Sequence, residues 1–356
     1  ERRFRAARLV AAALQARGAY TRAEIWLRRA LQNASDPRLE AIATRDYEYV
    51  RRRNPWTTRL RFGLTPSSNI NNGSKSDTMV IGGLPFALSG AAQALSGLEI
   101  SYGAETRYRH AVGDRVMLHL GGAIEGKSYR LSAGSRAKAP DLDASDLAYQ
   151  AAELNFGVAW RPAPDAGPIG LDLTLGKSFY GGDPLADYAR AEMTKRVRLG
   201  PRTILRFKAA AEEQWRQDVA RNSSTALIGG AALRRKLGNG DRLSVGVGLR
   251  DTASDAGTVA HEAKMATIDY RFAKPLAGAE LGLSLSYEGR QYDRAVYGAS
   301  PRSDDRLALG VSVFLPDLDY YGFAPEIGLS AVRNNSNVAL YDSEDYGLTV
   351  SFKSSF

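Results

Sequence analysis

The sequence predicts a mainly β protein: a 14-stranded antiparallel transmembrane β-barrel preceded by a short α-helical, tetratricopeptide-like segment. Three observations carry this. From Thr57 onward apolar residues alternate with Gly, Ser or charge, a period of two. The alternating segments are long: soluble strands average about 5–6 residues, while transmembrane strands need about 9–11. The gaps between them alternate long and short, as external loops and periplasmic turns do in outer-membrane barrels.

Composition narrows the field further. No cysteine occurs in 356 residues, which excludes a disulfide framework and a thiolate metal site. The run Leu9 to Leu14 is far short of the ~20 residues a membrane helix needs. Lys and Arg number 48 against 39 Asp and Glu, but the signs are interleaved, so nucleic acid is not an expected partner. The chain opens at Glu1 without a basic or apolar leader, as a mature or trimmed sequence would.

Residues 1–56 read as a periplasmic helical segment and 57–356 as the barrel. A first helix over Arg3–Arg17 puts Phe4, Leu9, Val10, Ala13 and Leu14 on one stripe, and Gly18 stops it. A second runs from Thr21, a candidate N-cap, to Asn33, with Ile25, Trp26 and Leu31 for burial. A third covers Pro37–Arg52 before Asn54-Pro55 breaks it. The order Gly18-x-Tyr20-x-x-Ala23, Ala30-Leu31 and Pro37 resembles the second half of a tetratricopeptide repeat; a generic helical hairpin is the plainer reading. One repeat cannot bury its own faces, so further repeats precede it or it packs on the barrel.

The strands are expected at 57–68, 97–110, 115–130, 146–160, 169–180, 188–199, 203–216, 225–237, 242–251, 263–273, 279–292, 304–315, 320–333 and 345–356. Short connections carry turn chemistry: Val112-Gly113-Asp114, Gly200-Pro201-Arg202, Gly238-Asn239-Gly240-Asp241 and Pro316-Asp317. An even strand count with short turns after even strands puts both termini in the periplasm.

The outward face should meet outer-membrane lipid. Aromatics near strand ends suit interfacial girdles: Trp56, Tyr108, Tyr129, Trp160, Tyr180, Trp215, Tyr270, Phe272, Tyr287, Tyr320, Tyr321 and Phe356. Lys195 and Glu213 share parity with apolar neighbours. Glu213 should therefore lie near the external rim, and a bulge or tilt should move Lys195 off the midplane.

The inward face mixes signs. Candidate lumen-lining residues are Arg59, Arg61, Glu99, Glu105, Arg107, Arg109, Glu153, Arg196, Arg198, Arg206, Arg250, Arg271 and Arg290, with Glu125, Arg190, Glu192, Lys208, Glu212, Asp269, Glu288 and Arg306 beside them. About eight strands fill with side chains and 16–18 leave a channel, so fourteen should leave a hydrated lumen. Plain solvation and cross-strand pairing explain such charge; a substrate path is the sharper alternative. The first loop, Asn69 to Ser96, turns apolar from Met79 to Leu88 and needs a partner, as a lumen plug or a client contact.

Catalytic and metal sites are not expected. His110, His119 and His261 have no metal-ligand spacing and no Ser/Asp arrangement, and Gly238-Asn239-Gly240 is a turn rather than a phosphate loop. Asp141, Asp143 and Asp146 crowd one loop, where solvated acids are commoner than calcium ligands. No cofactor is implied.

One resemblance covers essentially the whole chain. Pro55-Trp56 leads into the first strand, and Ser68-Asn69-Ile70-Asn71-Asn72 follows it. Gly322-Phe323-Ala324-Pro325-Glu326-Ile327, Asn334-Asn335-Ser336-Asn337 and a terminal Phe352 and Phe356 complete the set. Together with a helical segment before the barrel, this resembles the surface lipoprotein assembly modulator (Slam) family of Gram-negative bacteria. The motif-like residues are Trp56, Asn69, Asn71, Asn72, Pro325, Ser336, Asn337 and Phe356. The resemblance implies export of a client, a lipoprotein or related secreted protein, across the outer membrane. Members often carry several helical repeats, and this sequence has little more than one.

Two other readings stand beside export: a passive or selective pore for small solutes or polysaccharide, and an adhesive barrel without transport. A polysaccharide path should be lined by aromatics, and only Tyr149 and Phe314 are expected inward mid-segment. An adhesive barrel needs large external loops, and only Asn69–Ser96 is long. Any such barrel implies insertion by the barrel assembly machinery.

Overall fold

The computed structural model describes residues 1–163, 166–295, 298, 300–320 and 323–354. Tyr321, Gly322 and Phe356, each singled out above, lie outside the described residues. Three helices, α1 (Arg2–Ala16), α2 (Tyr20–Gln32) and α3 (Pro37–Arg53), precede the sheet. Phe4, Ala7, Ala30 and Ala43 form one small core, and Ala11, Ala23, Leu27, Tyr47 and Val50 another. The small residues at the crossings let the helices approach closely. Asp36 caps α3 by accepting from the amides of Arg38 and Leu39. Thr21 does not cap α2. That helix begins at Tyr20, and the Thr21 hydroxyl accepts from Asn54 Nδ2 at 3.2 Å instead.

The strands are β1 (Trp56–Ser67), β2 (Thr78–Ile81), β3 (Leu84–Ala87), β4 (Gly97–Val112), β5 (Val116–Leu131), β6 (Tyr149–Trp160), β7 (Ile169–Tyr180) and β8 (Asp183–Gly200). They continue as β9 (Thr203–Arg216), β10 (Ser224–Lys236), β11 (Arg242–Ser254), β12 (His261–Arg271), β13 (Glu280–Tyr292), β14 (Ser303–Phe314), β15 (Phe323–Ser336) and β16 (Ser343–Ser354). β1 and β4 to β16 close a 14-strand antiparallel barrel in sequence order, and β2–β3 is a separate hairpin in the first loop. The expected strands match this closely. The largest shift is at β8, which starts at Asp183 rather than 188, because the tight Gly181-Gly182 turn extends the pairing with β7.

Alternation places the apolar set outward. Leu60, Leu154, Leu171, Val247, Leu309 and Leu329 are all more than half exposed, the state of side chains that lipid must cover. Glu213 lies three residues from the loop end of β9 and accepts from the Thr225 hydroxyl at 2.7 Å. Lys195 sits opposite Ile169, the first residue of β7, and its ammonium donates to the Gly167 carbonyl at 2.9 Å. Position near the strand end takes it off the midplane; the register irregularities fall elsewhere, at 178/179 and 198/200.

The expected girdle needs a correction. Tyr129 and Tyr180 face inward, because Tyr129 pairs with Glu99 and Tyr180 with Tyr149, all on lumen parity. The outward aromatics include Trp56 and Tyr108, with ring centroids 5.0 Å apart.

Beyond the first loop, α4 (Ala133–Lys138) and Ile70, Leu95 and Ala139 build a small core on the barrel end away from the helices. The apolar stretch forms the β2–β3 hairpin beside the 339–341 turn, with Val80, Leu84 and Phe86 exposed.

At the helix end, the turn between β10 and β11 is tied to β12. The Asp241 carboxylate accepts from the Tyr270 hydroxyl, from the Ala273 amide at 2.7 Å and from Asn239 at 2.5 Å. These donors, the hydroxyl first, hold its pKa below the ordinary carboxylate range. A lowered folded pKa stabilises above the unfolded value of about 3.9 and is lost as pH falls through the folded one. Asp241→Asn should therefore lower the heat-modifiability midpoint at pH 7, and the gap to wild type should shrink as pH falls below about 4. A gap that is constant between pH 7 and pH 3 would contradict this.

Candidate functional site

The lumen is built by the second parity of each strand. Arg59, Arg61, Glu99, Glu105, Arg107, Arg109, Glu153, Arg196, Arg198, Arg206, Arg250, Arg271 and Arg290 all stand on it, alternating with the exposed apolar set. Their signs are not mixed evenly. Glu99, Glu105, Glu125 and Glu153 line β4 to β6, with Asp172 on β7, and outnumber Arg107, Arg109 and Lys127 on the same strands. β8 and β9 carry Arg190, Arg196, Arg198, Arg206 and Lys208.

On the acidic wall, Glu105 bridges Arg59 at 3.7 Å and Arg107 at 3.6 Å, and Lys127 meets Glu99 at 3.1 Å. The Tyr188 hydroxyl donates to Glu153 at 2.9 Å. On the basic wall, Glu192 and Glu212 act as hubs. Arg190 lies 3.1 Å from Glu192 and 3.5 Å from Glu212, Lys208 lies 3.1 Å from Glu192, and Arg250 lies 2.9 Å from Glu212. Arg206 is at the limit, 3.9 Å from Glu192, and Arg290 pairs with Glu288. Arg61, Arg196, Arg198 and Arg271 make no ion pair among the described residues. Half-exposed pairs of this kind hold side chains against the wall more than they stabilise the fold.

Sequence reasoning missed the inward aromatics. Tyr129, Tyr180, Tyr188 and Tyr292 join Tyr149 and Phe314 on lumen parity. The expected scarcity of inward aromatics, used above against a sugar path, is thereby corrected. For Tyr188 the missed signal was glycine. Tyr188 pairs with Gly176, and its ring lies where a Cβ at 176 would stand. His119 lies over Gly157 in the same way, with its Nε2 2.7 Å from Asp172 Oδ1.

The motif-like residues shape loops and strand ends. Trp56 opens β1, and Pro325 lies opposite Phe352. Asn69 is buried, donates to the carbonyls of Gly73 and Glu344, and accepts from the Gly73 amide at 2.8 Å. Asn71 donates to the carbonyls of Ala91 and Gln93, and Asn72 takes a left-handed φ of 52°. Ser336 accepts from the Val338 amide, and Asn337 joins the loop before β14 through Ser303 and Pro301. Asn69, Asn71, Asn72, Ser336 and Asn337 sit at the loop end, where they pin β1 and β15 to their neighbours.

The helix end is organised differently. Asn54 is buried, donates to Glu24 at 2.9 Å and accepts from the Trp56 amide at 3.0 Å. Arg28 stacks on Phe323, 5.1 Å from the ring centre, and donates to the Tyr47 hydroxyl at 3.2 Å. The helices are thus fastened under the starts of β1 and β15. A cavity of about 1100 Å³ opens there, lined by Glu24, Ile25, Arg28 and Arg51 from the helices and by β1, β4, β5, β15 and β16.

The family profile of the surface lipoprotein assembly modifiers matches residues 56–356, the entire barrel. The chain belongs to this family. No curated protein matches the chain by sequence. Solved structures that align with it include OccAB4 of Acinetobacter baumannii, at 8% identity and a TM-score of 0.42, covering 83% of this chain and 98% of that one. A BenF-like porin from Pseudomonas fluorescens Pf-5 gives 7% and 0.45 over 84% and 98%, and a bacterial polysaccharide outer membrane secretin 12% and 0.40 over 83% and 98%. At these values the alignments add nothing to the fold already read from the register. The barrel and the family place the protein in the outer membrane.

The basic-wall network makes a prediction. In planar bilayers Glu212→Gln should leave Arg250 without its counter-charge and Arg190 with Glu192 alone, and shift the reversal potential toward anion selectivity. No shift, with an intact barrel, would show that these charges do not face the conducting path.

Proposed function

We propose that this protein is an outer-membrane translocator that exports a specific surface lipoprotein or related secreted protein through or along its barrel. The observation that carries the reading is family membership across residues 56–356. The lumen supports it. Polar and charged groups line both walls, so a polypeptide passing them would exchange water for protein hydrogen bonds without crossing apolar surface. Residues 1–56 are proposed as the periplasmic segment and 57–356 as the membrane unit, with both termini in the periplasm. In this orientation the helices stand where a client would arrive, and Asn69, Asn71 and Asn337 brace the external rim. Barrel assembly machinery is the proposed partner during biogenesis.

A second reading has one specific observation in its favour. The acidic β4–β7 wall faces a lumen shared with the basic β8–β9 wall, and such a transverse separation of charge also suits a solute-selecting pore.

Comparing surface-shaved and secreted proteins of wild type and a deletion strain separates the two. Export predicts that one or two lipoproteins or secreted proteins leave the surface fraction while their cellular pools persist. An unchanged surface proteome together with steady, solute-selective conductance would replace export with the pore.

A further inference from the structure

Barrel closure is uneven. Among the described residues β1 pairs with β16 only at Gly63↔Ser351, Leu64↔Val350 and Ser67↔Gly347. On its other side β1 pairs with β4 at every residue from Trp56 to Ser67. Continuing the β1–β16 register would set Phe62 opposite Phe352 and Leu60 opposite Ser354. Among the described residues those β16 positions keep only their pairing with β15 on the other side, at Pro325↔Phe352 and Phe323↔Ser354. The seam is pinned at the loop end. There Asp345 accepts from the hydroxyls of Ser67 and Ser68 at 2.7 and 3.2 Å, and Lys75 reaches Asp342 at 3.1 Å. Among the described residues it is unpaired from Leu60 to Phe62.

The large cavity passes through this gap. Its lining includes outward residues of β1, Leu60 and Phe62, and inward ones, Arg59 and Arg61.

We propose that the unpaired edge of β1 is a docking edge for an extended strand of the exported polypeptide, apolar where it faces lipid and acidic where it faces the lumen. The inference rests on the export reading. Strand edges at membrane depth carry N–H and C=O groups with no water to satisfy them, so a complementary strand is their natural partner. The alternation of the edge sets the pattern of the guest. Leu60 and Phe62 would meet its apolar residues, and Arg59 and Arg61 its acidic ones. Arg59 is largely exposed beyond its contact with Glu105, and Arg61 has no ion pair among the described residues. The acid across from Arg61 is Glu125, on the far side of Gly103, so the seam side of Arg61 is open to a second carboxylate.

The chain has no cysteine, so an introduced pair is unambiguous. In cells, F62C/F352C should staple the free seam, while L64C/V350C staples residues already paired. The readout is the surface level of the lipoprotein that the deletion strain fails to display. The first staple should lower it to near the level of the deletion strain, because the strand-addition edge is denied, and reduction should restore it. The second should leave it unchanged. Separately, p-benzoylphenylalanine at Leu60 and at Phe62 should cross-link one segment of that lipoprotein, at sites two residues apart in antiparallel order. A formed F62C/F352C staple without effect would overturn the proposal, as would adducts only to phospholipid or to a second copy of this chain. If the staple does not form, the cross-links decide alone. If deletion leaves every surface protein in place, the export reading itself fails; if deletion acts and the staple does not, only the docking edge fails.

Discussion

A sheet in a membrane must satisfy every backbone polar group from within, because hydrocarbon offers none. The rest of this structure follows from that demand. It forces the strands into a closed ring and fixes the alternation that sends Leu60, Leu154 and Leu329 to lipid and Arg59, Glu153 and Arg206 to the lumen. It also explains why the loop end is so heavily tied. Asn69, Asn71, Asp345 and Asn337 spend their side chains on loop carbonyls, amides and hydroxyls, holding first and last strands in register. Among the described residues the same demand goes unmet in the β1–β16 seam from Leu60 to Phe62, and the helices are fastened beneath it through Asn54 and Arg28.

Inside the ring a different balance operates. Fourteen strands leave more room than side chains fill, so charges can be kept ionised in a hydrated lumen. The acidic and basic walls are each braced by a few counter-charges, Arg59 and Lys127 on one and Glu192 and Glu212 on the other. Tyr188 and His119 lie over glycines of neighbouring strands, Gly176 and Gly157, which keeps their rings flat against the wall. The lumen is narrowed by side chains lying along it, and its bracing pairs are weak enough to be exchanged for those of a passing chain.

Most of the barrel was legible because period-two alternation is a local signal, readable wherever one face is apolar. Strand ends were read within a few residues, except at β8, where pairing continues through Asp183 and Pro184 despite their poor strand propensity. The lumen parity of the charged residues followed from the same signal. What sequence could not supply was pairing between distant segments. Tyr129 and Tyr180 read as girdle residues because they lie near strand ends, and only their partners Glu99 and Tyr149 turn them inward. Thr21 read as a cap because Asn54, thirty-odd residues away, competes for its hydroxyl. The seam was invisible for the same reason, since it is a property of how β1 meets β16.

The central claim is that, among the described residues, β1 has an unpaired edge from Leu60 to Phe62 in a ring otherwise closed by backbone pairing. Amide hydrogen exchange along β1 in a lipid nanodisc tests it most directly. The account predicts fast exchange at the seam-facing amides between Leu60 and Phe62, and strong protection at Gly63, Leu64 and Ser67 and in the neighbouring β4. Uniform protection along the whole of β1 would contradict it.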